Sequence, residues 1–246
     1  TDDNLMKQVG PIRNLLRARD QGYDSLYTLC SMCDNTLKRS NRLVKKDEDK
    51  LSKINNFMDQ EEDYKGEIDV KHYLELLRDE LGWQEIKAKV KDPLEGVKVA
   101  PYYGCMLTRP KEIGLDDPHN PSVLDELITS LGGIPVDFPY ESECCGSYNT
   151  VDKKEVVLGK TQTITGGANK AGADLIITAW PLCHCNLDYR QAELLEVAPN
   201  HHPVPVIYFT QLMAVAFGNI DANGFEEHEI DPGPGLNLET TVASER

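Results

Sequence analysis

The chain has 246 residues and a mass of 27.6 kDa, which suits one large α/β domain or two small ones and allows a sizeable core. It carries 41 acidic against 26 basic residues, a formal net charge of −15, which disfavours nucleic acid and anionic membrane surfaces as partners. No apolar run approaches the roughly 20 residues of a membrane-spanning helix, and no secretory signal opens the sequence. We therefore expect a soluble, cytoplasmic protein without a transmembrane segment, which can still lie at the periphery of a membrane complex.

The first third of the sequence contains two short strands that each run into a helix. The first strand precedes Cys30, Ser31, Met32 and Cys33, and the second lies near residues 70–73. The segment between them, residues 39–64, is rich in Lys, Asp and Glu, which is typical of a solvated helix or loop.

Residues 97–220 alternate β-rich runs with helical stretches, the pattern of βα units on a parallel sheet. We predict four strands, at residues 97–103, 134–138, 175–179 and 205–209. We predict helices at residues 122–131, 152–171 and 210–217, and a further helix that begins at the Trp180–Cys185 segment. The predicted fold class is therefore α/β.

An internal repeat relates the two parts of the chain. Residues 24–37 align with residues 174–187 at a constant offset of 150, so that Cys30 matches Trp180 and Cys33 matches Cys183. The counterpart of Cys145 falls ahead of Thr1, so the first copy lacks its opening strand, a single cysteine and a Cys-Cys pair. These parts lie on another polypeptide, in a stretch outside this sequence, or nowhere. We expect a remainder of the first repeat over 1–90, a complete second repeat over 91–220 and an acidic flexible tail over 221–246.

Seven cysteines need an explanation other than disulfides, because their odd number, tight spacing and lack of an export signal favour metal or redox thiols. Cys105, the adjacent Cys144 and Cys145, and Cys183 each fall where a predicted strand ends and a helix begins. Such turns share one edge of a parallel sheet, where helix N-termini stabilise thiolates. Thiolates select iron–sulfur clusters, zinc or copper(I). Adjacent cysteines suit a multi-iron cluster better than one small tetrahedral ion.

The second part of the sequence resembles the cysteine-rich CCG domain. The resemblance rests on Cys105, Cys144-Cys145-Gly146, Trp180-Pro181-Leu182-Cys183 and Asn186-Leu187-Asp188, followed by the strand and helix of residues 206–212. The whole pattern is most similar to the B subunit of heterodisulfide reductase. The resemblance implies two Rossmann-like CCG repeats with parallel sheets, of which the first is truncated at its N-terminus. It also implies an oxidoreductase component that uses noncubane 4Fe-4S clusters to reduce a disulfide, such as that of coenzyme M and coenzyme B.

The ligands that the resemblance implies are Cys105, Cys144, Cys145 and Cys183 in the second repeat and Cys30 and Cys33 in the first. Trp180 occupies a position where the family has a cysteine, and an indole cannot bind iron there. The second cluster is then four-ligated, uses Cys185 instead, is of another type, or is replaced by zinc. The implied partners are a ferredoxin-like iron–sulfur subunit and a flavin-containing subunit. No catalytic group beyond the cluster ligands is identified.

Two other functions use the same residues. CCG domains also occur as electron-transfer or docking subunits of succinate or fumarate, glycolate and lactate oxidoreductases, sometimes with zinc, and Trp180 favours this alternative. The other hypothesis, the third in all, is a structural zinc module without a redox role. Iron content separates the first two functions from the third, and disulfide reduction separates the first from the second.

Overall fold

The structure is a computed structural model and describes residues 4–238. Its strands are β1 (Ser25–Thr28), β2 (Asp69–His72), β3 (Lys98–Tyr102), β4 (Ile134–Pro135), β5 (Leu175–Thr178) and β6 (Val206–Tyr208). Its α-helices are α1 (Leu5–Asp20), α2 (Ser31–Lys46), α3 (Glu48–Phe57), α4 (Tyr73–Glu75), α5 (Trp83–Lys89), α6 (Val123–Ser130), α7 (Lys154–Lys170), α8 (Pro181–Val197) and α9 (Phe209–Ala216). A π-helical stretch, Leu76–Leu81, joins α4 to α5.

The strands form two parallel sheets, which confirms the predicted α/β fold. β1 pairs with β2, and the larger sheet has the order β4-β3-β5-β6. Every pair in the larger sheet is parallel, and the register places Tyr102 of β3 opposite Thr178 of β5. Parallel pairing needs a crossover after each strand, and helices supply it.

The predicted strand at residues 134–138 is shorter than expected. β4 contains only Ile134 and Pro135 and pairs with β3 alone. The N–H groups of Ile134 and Val136 donate to the carbonyls of Val97 and Val99, both at 2.9 Å, so Pro135, which has no N–H, faces the outer edge of the sheet, where no ladder bond is lost. The chain then leaves the sheet and enters the loop that carries the adjacent cysteines.

The larger sheet is covered on both faces. One face, with α6 and α9, buries one apolar cluster, and the opposite face, with α7 and α8, buries a second. Strand side chains alternate between the two clusters, as the period of two requires. A third apolar cluster joins α1, α2 and α3 to the smaller sheet.

The sequence repeat corresponds to a repeat of local geometry. β1 and β5 start 150 residues apart, as do α2 and α8. The residues before those helices, Cys30 and Trp180, have nearly the same backbone angles, with φ and ψ of −131° and 119° in the first and −134° and 120° in the second. At the next strand end, His72 and Tyr208 donate their N–H groups to the side chains of Glu75 and Gln211 at 2.6 and 2.7 Å. The domain boundaries at residues 90 and 220 stay predictions.

The two copies contact each other near the cysteine-bearing turns. Both the N–H and the hydroxyl of Ser31 donate to the carbonyl of Ala179, at 3.0 and 2.8 Å. The Tyr208 hydroxyl donates to the carbonyl of Leu29. These bonds fix the first turn of α2 beside the first turn of α8.

Residues 221–238 pack against the second copy, whereas the sequence predicts a flexible tail over 221–246. Leu236 is buried in the core cluster of the α6 and α9 face, with Phe225 packed against the same cluster. The Asp188 carboxylate accepts the backbone N–H groups of Glu229 and Ile230 at 2.9 and 3.2 Å. Apolar anchors among the acidic residues explain the difference. The rest of that prediction, for residues 239–246, lies outside the described residues.

Within residues 4–238, none of the helices combines the length and the apolarity that crossing a bilayer requires.

His72 gives the fold a defined acid sensitivity. Its side chain is buried, its Nδ1 accepts the N–H of Leu74 at 3.2 Å, and burial, followed by the charge of Lys38, lowers its pKa to about 3. In the unfolded chain, His72 takes up a proton below about pH 6.5. The unfolded state therefore binds more protons between these two pH values, and the free energy of unfolding falls as the pH falls through that window.

We expect His72 to lower the free energy of unfolding by about 2 kcal/mol when the pH falls from about 7 to about 5. His72→Asn keeps an oxygen for the Leu74 N–H but cannot take up the proton, so this part of the pH dependence should disappear. Anaerobic urea titrations at both pH values measure it, with His202→Asn in an exposed loop position as the control. The same pH dependence in all three proteins would show that His72 does not titrate on unfolding.

Candidate functional site

Four cysteines meet at the carboxyl edge of the larger sheet. Cys105 follows β3, Cys144 and Cys145 lie in the loop after β4, and Cys183 lies in the first turn of α8 after β5. The Sγ atoms of Cys145 and Cys183 are 3.2 Å apart, and the Cys105 thiol is the neighbour that most affects the pKa of Cys144. All seven cysteines of the chain are free thiols. The structure therefore brings together the four residues that the sequence identifies in the second repeat.

The adjacent cysteines have different partners. Cys144 is paired with Cys105, and Cys145 with Cys183. Gly146 follows the two cysteines, and its φ of 78° and ψ of 16° lie in the left-handed region that a side chain disfavours. Its N–H turns back to the Cys144 Sγ at 3.4 Å. The site therefore consists of two thiol pairs that share one tight turn.

One thiol of each pair is acidified. The hydrogen bond from Cys105 lowers the pKa of Cys144 to about 6, against the effect of burial, and the Gly146 N–H and the Lys160 charge act in the same direction. The hydrogen bond from Cys183 likewise lowers the pKa of Cys145. The same hydrogen bond to Cys144, with burial, raises the pKa of Cys105, while burial raises that of Cys183 well above its usual range. In each pair, one thiol is thus made more acidic and the other less acidic.

Aromatic side chains enclose the sulfurs. The Tyr102 hydroxyl donates to the Glu143 carbonyl at 2.6 Å. Burial raises the pKa of Tyr102, and negative charge on all four cysteines raises it further, so this hydroxyl faces the whole group. The Tyr148 ring lies 6.1 Å from that of Trp180, and its hydroxyl reaches the Sδ of Met32 at 3.2 Å. Side chains of both copies, Met32 from the first and Tyr148 and Trp180 from the second, therefore lie beside the sulfurs.

Trp180 closes the inner side of the site. Its side chain is buried in the same apolar cluster as Cys145 and Cys183. It stands at the N-cap of α8, where the first copy has Cys30, and its ring supplies an apolar wall instead of a sulfur. The ligand set that the second repeat offers at this edge is therefore four cysteines.

Cys30 and Cys33 form a separate pair beside the four. The Cys30 Sγ accepts the N–H of Cys33 at 3.4 Å. Burial, followed by the hydrogen bond and charge of Cys30, raises the pKa of Cys33 to about 11. Burial and then the charges of Cys30, Cys183 and Cys33 raise the pKa of the Tyr208 hydroxyl, so this side chain lies near cysteines of both copies. The two sulfur groups therefore share one aromatic neighbour.

Cys185 lies apart from the other cysteines of the second copy. Its side chain is exposed, and within residues 4–238 no hydrogen bond joins its thiol to another sulfur. Cys183 and Cys185 are two positions apart on a helix, so they point in different directions.

The sequence analysis does not identify the side chains that hold the sulfurs in place. Tyr102, Tyr148, Tyr208 and Asn186 contact or face the cysteines, and the Asn186 amide lies 3.8 Å from the Cys145 Sγ. Tyr102 and Tyr208 share a sequence signal, since each is the last residue of a strand that leads to this edge.

Comparisons with known proteins agree with this geometry. The model of the CCG cysteine-rich domain matches residues 99–188, the segment that contains all four cysteines. The B subunit of the ferredoxin/F(420)H(2)-dependent CoB-CoM heterodisulfide reductase of Methanosarcina acetivorans is 32% identical over 227 residues, which are 89% of this chain and 74% of that protein. The B subunit of the ferredoxin:CoB-CoM heterodisulfide reductase of Methanosarcina mazei is 30% identical over the same shares of both chains. The chain belongs to the family of heterodisulfide reductase B subunits.

A second type of relative has the same level of similarity. The 8-methylmenaquinol:fumarate reductase membrane anchor subunit of Wolinella succinogenes is 32% identical over 88% of this chain and 75% of that protein. A crystal structure of a hypothetical protein from Helicobacter pylori superposes with a TM-score of 0.70 at 14% identity, covering 90% of this chain and 41% of that one. This last likeness shows the fold alone. The chain therefore has relatives in two kinds of reductase complex.

We expect Cys144→Ala to remove most of the bound metal, because it deletes the thiolate that Cys105, Gly146 and Lys160 stabilise. Cys185→Ala is the matched control, since it deletes an exposed thiol on the same side of the sheet and should leave the metal in place. Metal content of anaerobically purified variants measures both effects. Full retention of metal in Cys144→Ala would contradict the assignment of the site.

Proposed function

We propose that this protein is an iron–sulfur subunit of a heterodisulfide-reductase-type complex, in which Cys105, Cys144, Cys145 and Cys183 hold a cluster that takes part in disulfide reduction. The observation that carries the proposal is the divergence of Cys144 and Cys145 toward different partner sulfurs at a buried edge of the sheet.

The donor set fits such a group. A metal ion with bonds of about 2.3 Å to two sulfurs holds them about 3.8 Å apart, and Cys145 and Cys183 are near that spacing at 3.2 Å. Each of the two thiol pairs can bind a different metal ion, and this arrangement suits a multi-iron cluster better than a single zinc ion. Four soft sulfur donors at a buried edge of the sheet are the usual environment for an iron–sulfur cluster. The noncubane 4Fe-4S type is part of the proposal, with zinc as its alternative.

The residues around the sulfurs determine what such a cluster does. When bound, it supplies single electrons and an iron that can bind sulfur, which is the chemistry that cleaving a disulfide needs. Trp180 packs with Cys145 and Cys183 in one buried apolar cluster, which lowers the polarity on that side of the sulfurs. Asn186 and the Gly146 N–H donate to the cysteine sulfurs, which stabilises their negative charge and adjusts the reduction potential.

Cys30 and Cys33 are proposed as part of a second ligand set that faces the first across Tyr208. Each disulfide that is reduced takes up two electrons and two protons and gives two thiols. Two neighbouring clusters can deliver those electrons one at a time to a substrate between them. The sequence repeat implies that this second set needs additional cysteines, and these are proposed to come from outside residues 1–246.

The proposed partners are a ferredoxin-like iron–sulfur subunit that delivers electrons and a flavin-containing subunit of the same complex. The proposed location is the cytoplasm, with peripheral attachment to a membrane complex as an option that the Wolinella relative supports. The net charge of −15 favours partners that present basic surfaces at the contact.

A second candidate function has its own support. The Wolinella relative and Trp180 favour an electron-transfer or docking subunit of a fumarate, succinate, glycolate or lactate oxidoreductase. In that role the cluster or a zinc ion holds the edge of the sheet together, and the protein does not take part in disulfide reduction.

The complex, purified without oxygen together with its natural partner chains, tests the choice. With a reduced viologen dye as electron donor, we expect it to reduce the coenzyme M–coenzyme B disulfide. The same complex with Cys144→Ala should be inactive, and with Cys185→Ala it should stay active. A complex with an intact iron–sulfur content that reduces fumarate but leaves disulfides unchanged would support the second function and contradict the first.

A further inference from the structure

Three potential metal ligands meet on the far side of α8, outside the cysteine site. His184 and Asp188 lie one helical turn apart, and His228 comes from the segment of residues 221–238 that packs against the helix. The donor atoms of the three side chains all lie within 4.8 Å of one another. The exposed fractions of the His228 and Asp188 side chains are only 3% and 0%.

Two of these donor atoms are buried without a hydrogen-bond partner. They are the Nε2 of His184 and the Nδ1 of His228, and neither is paired with any atom of the described residues. The Nδ1 of His228 is 4.0 Å from the nearest Asp188 oxygen, which is beyond hydrogen-bond distance. The two imidazole rings meet edge to face with their centroids 4.8 Å apart. Unpaired buried nitrogens are uncommon in folded proteins and need an explanation.

The third member, Asp188, carries a buried carboxylate. It accepts two backbone N–H groups, from Glu229 and Ile230, and within residues 4–238 no Lys or Arg side chain forms an ion pair with it. Two neutral imidazoles and one carboxylate would give a divalent cation three ligands and balance the buried negative charge.

We propose that His184, Asp188 and His228 bind one zinc ion, which fastens residues 221–238 to α8 independently of the cysteine site. Zinc accepts imidazole nitrogen and carboxylate oxygen at about 2.0 to 2.2 Å and prefers four ligands, so a water molecule completes the set. Tetrahedral coordination places donor atoms roughly 3.3 Å apart, and the side chains must therefore close in from their present separation.

The hydrogen bonds around the site bear on how it closes. His184 is hydrogen-bonded to the backbone of Val206, and since its Nε2 is the unpaired nitrogen, this bond falls to Nδ1. That arrangement leaves a lone pair on Nε2 and orients the ring, as in many metal sites. His228 has a contact of 2.9 Å between its Nε2 and the amide nitrogen of Gln211.

The Gln211 contact defines a cost of binding. The Gln211 oxygen accepts the N–H of Tyr208, and its NH₂ group donates to the Asn223 carbonyl, each at 2.7 Å. The NH₂ group also faces the Nε2 of His228, which favours a proton on Nδ1. Zinc at Nδ1 moves that proton to Nε2, where it meets the NH₂ group, so the two side chains must shift apart when zinc binds.

The experiment equilibrates the anaerobically purified protein with zinc(II), removes loose metal and measures zinc, iron and sulfide, with affinities from competition against a chromophoric chelator. We expect one zinc per chain that His228→Gln loses while iron and sulfide stay unchanged. His202→Gln, which changes an exposed histidine, is the control and should bind zinc like the wild type.

A second measurement identifies the ligands without any substitution. Cobalt(II) in the proposed site should give the absorption of a tetrahedral ion with nitrogen and oxygen ligands and no thiolate-to-cobalt charge-transfer band. A wild-type protein that binds no zinc at this site would show that the side chains enclose only water and would overturn the proposal. So would zinc content that His228→Gln leaves unchanged, or a cobalt spectrum dominated by thiolate bands.

Discussion

The parallel pairing of β3 with β5 is the constraint on which the rest of the structure depends. The register that sets Tyr102 opposite Thr178 places the ends of both strands at the same height. Cys105 comes three residues after the end of β3, and Cys183 lies in the first turn of the helix that follows β5. The loop after β4, on the other side of β3, supplies the adjacent cysteines. The backbone hydrogen bonds of the sheet thus determine that the four thiols meet.

The second copy alone does not complete the surroundings of these thiols. Ser31 holds the first turn of α2 against Ala179, and Met32 on that turn reaches Tyr148 across the site. Tyr208 faces cysteines of both copies. Residues from both sides of the interface between the copies therefore surround the sulfurs.

Much of this could be predicted from the sequence, because strand periodicity and the offset of 150 residues reflect strong local constraints. These signals located the strands and the gathering of Cys105, Cys144, Cys145 and Cys183. They did not reveal which thiol pairs with which, because that depends on the conformation of the loop after β4. The early end of β4 was missed because the apolar pattern continues to Phe138, which is buried in the core after the chain has left the sheet. The packing of residues 221–238 was missed because a few apolar anchors are hard to recognise among many acidic residues. His228 could not be placed beside Asp188 from sequence, since 40 positions separate them.

The measurement that tests the central claim most directly is iron and acid-labile sulfide per chain, on protein purified without oxygen from its native source. If the diverging cysteines hold a multi-iron cluster, the wild-type chain should contain several irons and a matching number of sulfides. Protein that contains no iron and no sulfide, with zinc bound at the cysteines instead, would contradict the account. The redox role would then belong to another chain of the complex.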